Sequence, residues 1–173
     1  MKIIKRQQTI EKETGELLHE TEYDMVFYLY NDSAGYVLYN NRTRVHVFPN
    51  IKIKLTTADK SRAWDLMRMI DKCGRVVMSE PDERTGSYMV VSSKLEFASA
   101  LGISTAQAYR FLKRAEDANL IRRHNKVFYV NPLLMMNGSR LPHELYAIFS
   151  DQLDPYLPEW VIQRYKLKLK GEQ

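Results

Sequence analysis

Six polar side chains, Thr105, Gln107, Tyr109, Arg110, Lys113 and Arg114, recur at spacings that a helix would gather on one side and flank. Their chemistry is that of groups that reach base edges and phosphates. Arg holds a guanine edge through two parallel bonds and Gln an adenine edge, whereas Thr, Tyr and Lys reach phosphate oxygens. Ser104 stands where that helix would begin, and a helix N-terminus itself favours an anion. Further on, Arg123, His124, Asn125 and Lys126 form a polar stretch between two apolar runs, suited to a sugar-phosphate backbone. Thr105, Gln107, Tyr109 and Arg110 are expected to face bases. Ser104, Lys113, Arg114, Arg123, Asn125 and Lys126 are expected to hold the backbone, and His124 either to touch a phosphate or to lie exposed. The plainer account is a solvated face on an ordinary three-helix domain.

The elements that must position these groups are legible between Ser93 and Val130. Phe97, Ala98 and Leu101 give a short helix one buried stripe, and Gly102 ends it where a positive φ costs little. Ile103 then drops inward. Ala108, Phe111, Leu112 and Ala115 line the inner face of a second helix at i, i+3, i+4 and i+7. Ser93 with Glu96, and Ser104 with Gln107, each match a capping box, in which hydroxyl and acid or amide satisfy orphan amides reciprocally. Leu120 to Arg123 and Val127 to Val130 read as two strands around the turn His124-Asn125-Lys126. That order is a winged helix-turn-helix.

Charge supports the same stretch. The chain of 173 residues carries a formal charge of +5, and residues 104 to 130 hold 6 Lys and Arg against 2 Asp and Glu, so four of the five net charges fall there. Concentrated cations are the electrostatic footprint of a nucleic-acid binder. One cysteine, Cys73, excludes an internal disulfide and a thiolate zinc site built on this chain alone. With no apolar leader and no apolar run near membrane length, the expectation is a soluble cytoplasmic protein with no membrane partner. A content of 45% hydrophobic residues argues against disorder.

Three regions are expected: a β-hairpin-rich region over 1–55, the winged helix-turn-helix over 56–138, and C-terminal helices over 139–173. Lys2 to Glu22 reads as a hairpin turning at Glu13-Thr14-Gly15-Glu16. Met25 to Tyr30, which also suits a helical turn, and Tyr36 to Tyr39 suggest a second hairpin around residues 31–35, and Arg44 to Phe48 and Ile51 to Leu55 alternate like half-buried strands. Tyr36, Tyr39, Arg42, Arg44, Lys52 and Lys54 suit either a second nucleic-acid surface, an interface with another copy, or a sheet covering the central domain. A helix is expected over Ala58 to Lys72, capped by Thr57, and a strand pair over Arg75 to Ser79 and Ser87 to Ser92. Beyond Asn131-Pro132, the run Leu133 to Met136 should pack on the core. Two helices, about His143 to Leu153 and Glu159 to Lys170, carry Leu145, Ile148, Phe149, Leu153, Trp160, Val161 and Tyr165. These suit either a homodimer interface or packing within the chain.

From about Ala58 to Leu153 the chain resembles the RepL-type replication initiators of small plasmids and their phage relatives. The matching features are Glu13-Thr14-Gly15-Glu16, Glu96 to Glu116, Asn119-Leu120-Ile121 and Asn131-Pro132 through Gly138. The helix-turn-helix is also similar to MarR-type transcription factors. What the resemblance implies is binding of double-stranded DNA at a plasmid or phage origin, with the helix from Ser104 in the major groove. The competing function is regulation of transcription at a promoter. Host replication or transcription proteins would be the partners recruited, and a protein-interaction module with a basic surface is the third reading.

An enzyme would need a site, and the sequence offers no catalytic residues, metal ligands or cofactor-binding motif. His46 has no second histidine at metal-ligand spacing, and there is no glycine-rich phosphate loop. The acidic pairs Glu116-Asp117 and Asp82-Glu83 are expected to be solvated. Cys73 is expected to serve packing rather than redox sensing.

Overall fold

The computed structural model describes residues 4–10, 17–24, 30–33, 35–38, 45–47 and 55–171. The fold is mixed α and β, built on helices with several small sheets. The expected turn at 13–16, the run 25–29, most of Ile51 to Leu55, and Tyr39, Arg42, Arg44, Lys52 and Lys54 lie outside the described residues.

Among the described residues, the N-terminal third supplies five strands. β1 (Ile4–Ile10) and β2 (Leu17–Asp24) pair antiparallel, as the sequence leads one to expect. β3 (Tyr30–Asn31) pairs with β4 (Gly35–Val37), and β5 (Val45–Val47) stands apart from both. Their other partners come from far along the chain. β10 (Met135–Asn137) pairs with β5, and β11 (Arg140–Leu141) pairs with β4, so the pairings cross the boundaries expected at 55 and 138.

α1 (Thr57–Leu66) is shorter than the helix expected from Ala58 to Lys72, and its cap is Thr56 rather than Thr57. A single 3-10 turn, Met67–Met69, follows, and Ile70 is already extended and bridged to Val76. The cause is the loop beyond it. The Asp71 carboxylate accepts bonds from the backbone N–H groups of Cys73 and Arg75, each at 2.9 Å, closing a turn at Gly74 with φ +76°. A Cβ on Gly74 would sit 2.7 Å from a Leu145 methyl carbon and displace it, and the positive φ itself favours glycine. β6 (Val77–Pro81) and β7 (Tyr88–Val90) then pair antiparallel.

α2 (Lys94–Ala100) and α3 (Thr105–Asp117) start at Ser93 and Ser104, each with both bonds of its capping box formed. Both end in the same left-handed motif. Gly102 donates to the Ser99 carbonyl and Ile103 to Ala98, while Asn119 (φ +55°) donates to Glu116 and Leu120 to Ala115. Each motif turns the following apolar residue, Ile103 or Leu120, toward the core. β8 (Ile121–His124) and β9 (Val127–Val130) form the next hairpin, with His124 inside the strand and Asn125-Lys126 alone as the turn. Both turn residues have positive φ, 48° and 68°, the geometry that matches strand twist in two-residue hairpins.

This hairpin separates two cores. Successive side chains on a strand point to opposite faces, so Phe128 and Val130 enter one cluster while Val127 and Tyr129 turn to the other. The first cluster joins Ala63, Leu66, Val76, Phe97, Phe111, Leu112, Ile121 and Met135. The second joins Tyr30, Leu133 and Leu141 to α4 (His143–Leu153) and α5 (Glu159–Leu169). Leu133 to Met136 are all buried, as expected for that run. Within the second cluster Tyr165 stacks on Tyr146 at 4.2 Å between ring centres. Its hydroxyl donates to the Leu141 carbonyl and accepts from the Tyr36 N–H, tying α5 to two strands.

Leu145, Phe149, Leu153, Val161 and Tyr165 are therefore buried within the chain, and Ile148 and Trp160 are half-buried against them. These residues thus pack within the chain, which is one of the two uses expected for them. Tyr36 likewise packs edge-on to Trp160 at 5.9 Å, so it covers the second core.

Candidate nucleic-acid interface

The face opposite the buried stripe of α3 is set by the helical period. With Ala108, Phe111, Leu112 and Ala115 inside, Ser104, Thr105, Gln107, Tyr109, Arg110 and Lys113 are exposed together. The hairpin tip presents Arg123, His124, Asn125 and Lys126, also exposed. The structure thus gathers the base-facing and backbone-facing candidates onto α3 and the tip of the following hairpin.

Several of these groups have second duties. Gln107 accepts a bond from the Ser104 N–H through Oε1 at 3.1 Å, and its own N–H donates to the Ser104 hydroxyl. Arg110 folds its Nε back onto the Ala106 carbonyl at 3.2 Å. The Lys94 ammonium on α2 lies 4.2 Å above the Tyr109 ring, fixing the ring beside the helix start. Arg123 donates to the Ser92 carbonyl and covers the Phe128 ring, and His124 bonds the Asn125 amide at 3.1 Å.

Arg114 departs most from expectation. Instead of pointing a free cation outward, it donates Nε to Asp59 Oδ2 at 2.6 Å and Nη2 to Oδ1 at 2.9 Å. Asp59 belongs to the first turn of α1, and its side chain is fully buried. Arg62 Nη1 donates to the same Oδ1 at 2.9 Å, and the Thr56 hydroxyl donates to Oδ2 at 2.6 Å. Chiefly through the Arg114 bonds, against the opposing cost of burial, the Asp59 carboxyl is pulled down to a pKa of about 2.

Arg122, one of the cations in the basic stretch, is also committed. It donates Nη1 and Nη2 to Asp151 at 2.6 and 2.7 Å and Nη1 to the Ile148 carbonyl at 2.7 Å, holding the hairpin against α4. Arg122 correspondingly holds the Asp151 carboxyl below its usual range. On the other strand Tyr129 donates to the Glu144 carboxylate, and burial followed by that bond pushes its phenol up to about 12. Asn131 completes the support. Its Oδ1 accepts from the Leu133 N–H, and its amide donates to the Asn119 carbonyl and to Gln152, so one side chain joins the end of α3 to α4.

Sequence reasoning missed Arg62 and Asp59. Together with Gln107, Arg110 and Arg114, Arg62 lines a shallow cleft of about 200 Å³ between α1 and α3. Asp59 reads in sequence as an ordinary acid in the first turn of a helix, where it would complement the dipole from solvent. The local signal present was Thr56 three residues before it, the spacing of a hydroxyl cap.

Elsewhere, burial raises the pKa of the half-buried thiol of Cys73, which disfavours the thiolate. Among the described residues, no three His, Cys, Asp or Glu side chains converge as metal ligands, and no helix is long and apolar enough to cross a membrane. Comparison with protein-family models, curated proteins and solved structures finds no match to this chain.

Proposed function

We propose that this chain is a non-enzymatic, sequence-specific binder of double-stranded DNA, of winged helix-turn-helix type. α3 lies in the major groove and the β8–β9 hairpin is the wing along the backbone. The observation that carries the reading is the exposed row Thr105, Gln107, Tyr109, Arg110 and Lys113 on a helix whose start and end are both locked by side-chain and backbone caps. A rigid helix that presents donors on its one free face meets the geometric requirement for reading base edges. The resemblance of Asn131-Pro132 through Gly138 and of the helix-turn-helix to RepL-type initiators favours a plasmid or phage origin as the target.

The test is a salt titration of binding to the DNA surrounding this protein's own gene, against random duplex of equal length. The expected result is a site preferred by about 10³-fold or more at physiological salt. Its position then separates an origin from a promoter. Equal, weak binding to both duplexes that vanishes with salt would leave only a basic surface and overturn the reading.

A further inference from the structure

The cleft between α1 and α3 has a composition that structural packing does not require. One buried carboxylate needs one guanidinium for neutrality, yet Arg62 and Arg114 both bond Asp59, and Arg110 lines the same cleft. Both Asp59 oxygens are fully used, Oδ1 by Arg62 and Arg114, and Oδ2 by Arg114 and the Thr56 hydroxyl. Two guanidiniums thus share one anion and Arg110 adds a third cation to the lining, leaving two positive charges at the cleft.

The lining is also one-sided in hydrogen bonding. Guanidinium groups only donate, and the Gln107 oxygen is turned to the Ser104 N–H, so the three arginines of the lining offer the cleft donors alone. Arg110 uses Nε on the Ala106 carbonyl, and its terminal nitrogens have no partner among the described residues. Accessibility sorts the charges by sign. The Asp59 side chain is 0% exposed, whereas Arg62 and Arg114 are 20% and 42% exposed. The anion is sealed beneath and the cations open above it.

We propose that this cleft is a phosphodiester-binding site, in which Arg62 and Arg114 hold one backbone phosphate of a nucleic-acid strand while Arg110 beside them keeps its terminal nitrogens for a base edge. Planar guanidinium forks match the oxygens of a phosphate, and Asp59 fixes both forks before the ligand arrives. The proposal rests on the nucleic-acid reading of α3 and extends the contact to α1. Asp59 is a positioning residue: it never meets the ligand.

The test uses the full chain and three proteins: wild type, Arg62→Gln, and Lys170→Gln at the end of α5 as a control for lost charge alone. Circular-dichroism melting first establishes that Arg62→Gln is folded, which is expected because Arg114 still neutralises Asp59. DNA affinity is then measured against salt. Arg62→Gln should weaken specific and random duplexes alike, about threefold or more, and lower the log–log salt slope by about 1, while Lys170→Gln changes neither. In parallel, the Arg Nε–Hε NMR signals of the free protein are followed with inorganic phosphate against chloride at matched ionic strength. Saturating shifts at Arg62 and Arg114 are expected in wild type, and loss of the Arg114 shift in Arg62→Gln. An unchanged slope in folded Arg62→Gln, with wild type binding DNA, overturns the phosphate site and spares the DNA reading. Saturating phosphate shifts with no DNA binding by wild type overturn the DNA reading and the phosphodiester assignment together, leaving a free-anion site. No phosphate response and no DNA binding overturn everything, including the site.

Discussion

Arg114 on α3 grips Asp59 on α1 through two bonds, at 2.6 and 2.9 Å, across 55 residues of sequence. The pair ties the helix that presents the polar face to the first turn of α1. It also makes stability depend on acid. The Asp59 pKa is lowered from 3.8 to about 2, so the folded state binds its proton later than the unfolded chain does. Its contribution is complete above about pH 4 and is lost as pH falls through about 2, and that shift corresponds to about 2 kcal/mol. Asp59→Asn should lower the urea midpoint at neutral pH and flatten the acid limb of the stability curve between those values. An acid limb as steep as that of wild type would show that other carboxylates carry it.

On the proposed DNA-binding reading, Arg110 and Lys113 divide the exposed face of α3 by role. Arg110→Ala should cost about 1–3 kcal/mol at one base position and relax specificity there. Lys113→Ala should weaken all sequences alike and reduce the salt slope. Binding-site selection from a randomised duplex, with each variant, reads both outcomes. Identical selected sequences and affinities for Arg110→Ala and wild type would remove Arg110 from the base-contacting set.

Local features of this face were legible because their chemistry is local. Ser93 with Glu96, and Ser104 with Gln107, act over three residues, and both boxes form. The periodicity of Ala108, Phe111, Leu112 and Ala115 identified the buried side of α3 in full. What stayed hidden depends on distance in sequence. β4 pairs with β11 and β5 with β10 across roughly a hundred residues, and strands of two or three residues are too short to show alternation. Arg114 looked free because its partner, Asp59, sits on another helix, and the end of α1 looked later because nothing within it announces that Ile70 will pair with Val76.

His143 gives a second pH dependence near neutrality. Its Nε2 lies 2.8 Å from the Tyr30 hydroxyl, its ring meets Tyr165 edge-on at 5.1 Å, and burial, helped by Lys168 and opposed by Asp32, lowers its pKa below 6.5. The unfolded chain therefore takes up this proton first. Stability should be full above about pH 6.5 and fall as pH drops below it. Melting temperature followed from pH 8 to about pH 5 should decline in wild type and decline less in His143→Gln, whose amide keeps a bond to Tyr30. Parallel curves for the two proteins would place the titration elsewhere.

The second core decides how the C-terminal helices act. Phe149 and Leu153 are 0% exposed, packed with Tyr165 and Leu157 inside one chain, so their removal opens cavities rather than an interface. Leu153→Ala should cost about 2–5 kcal/mol, as large-to-small changes in a packed core do. A subunit interface built on these residues would make the melting temperature rise with protein concentration, because association shifts unfolding by mass action. Packing within the chain has no such dependence. Melting of wild type and Leu153→Ala over a hundredfold range of concentration should give two flat lines offset from one another, with one unchanged mass by sedimentation. A wild-type line that climbs with concentration, and a Leu153→Ala protein that sediments as a smaller species, would return these helices to a dimer interface.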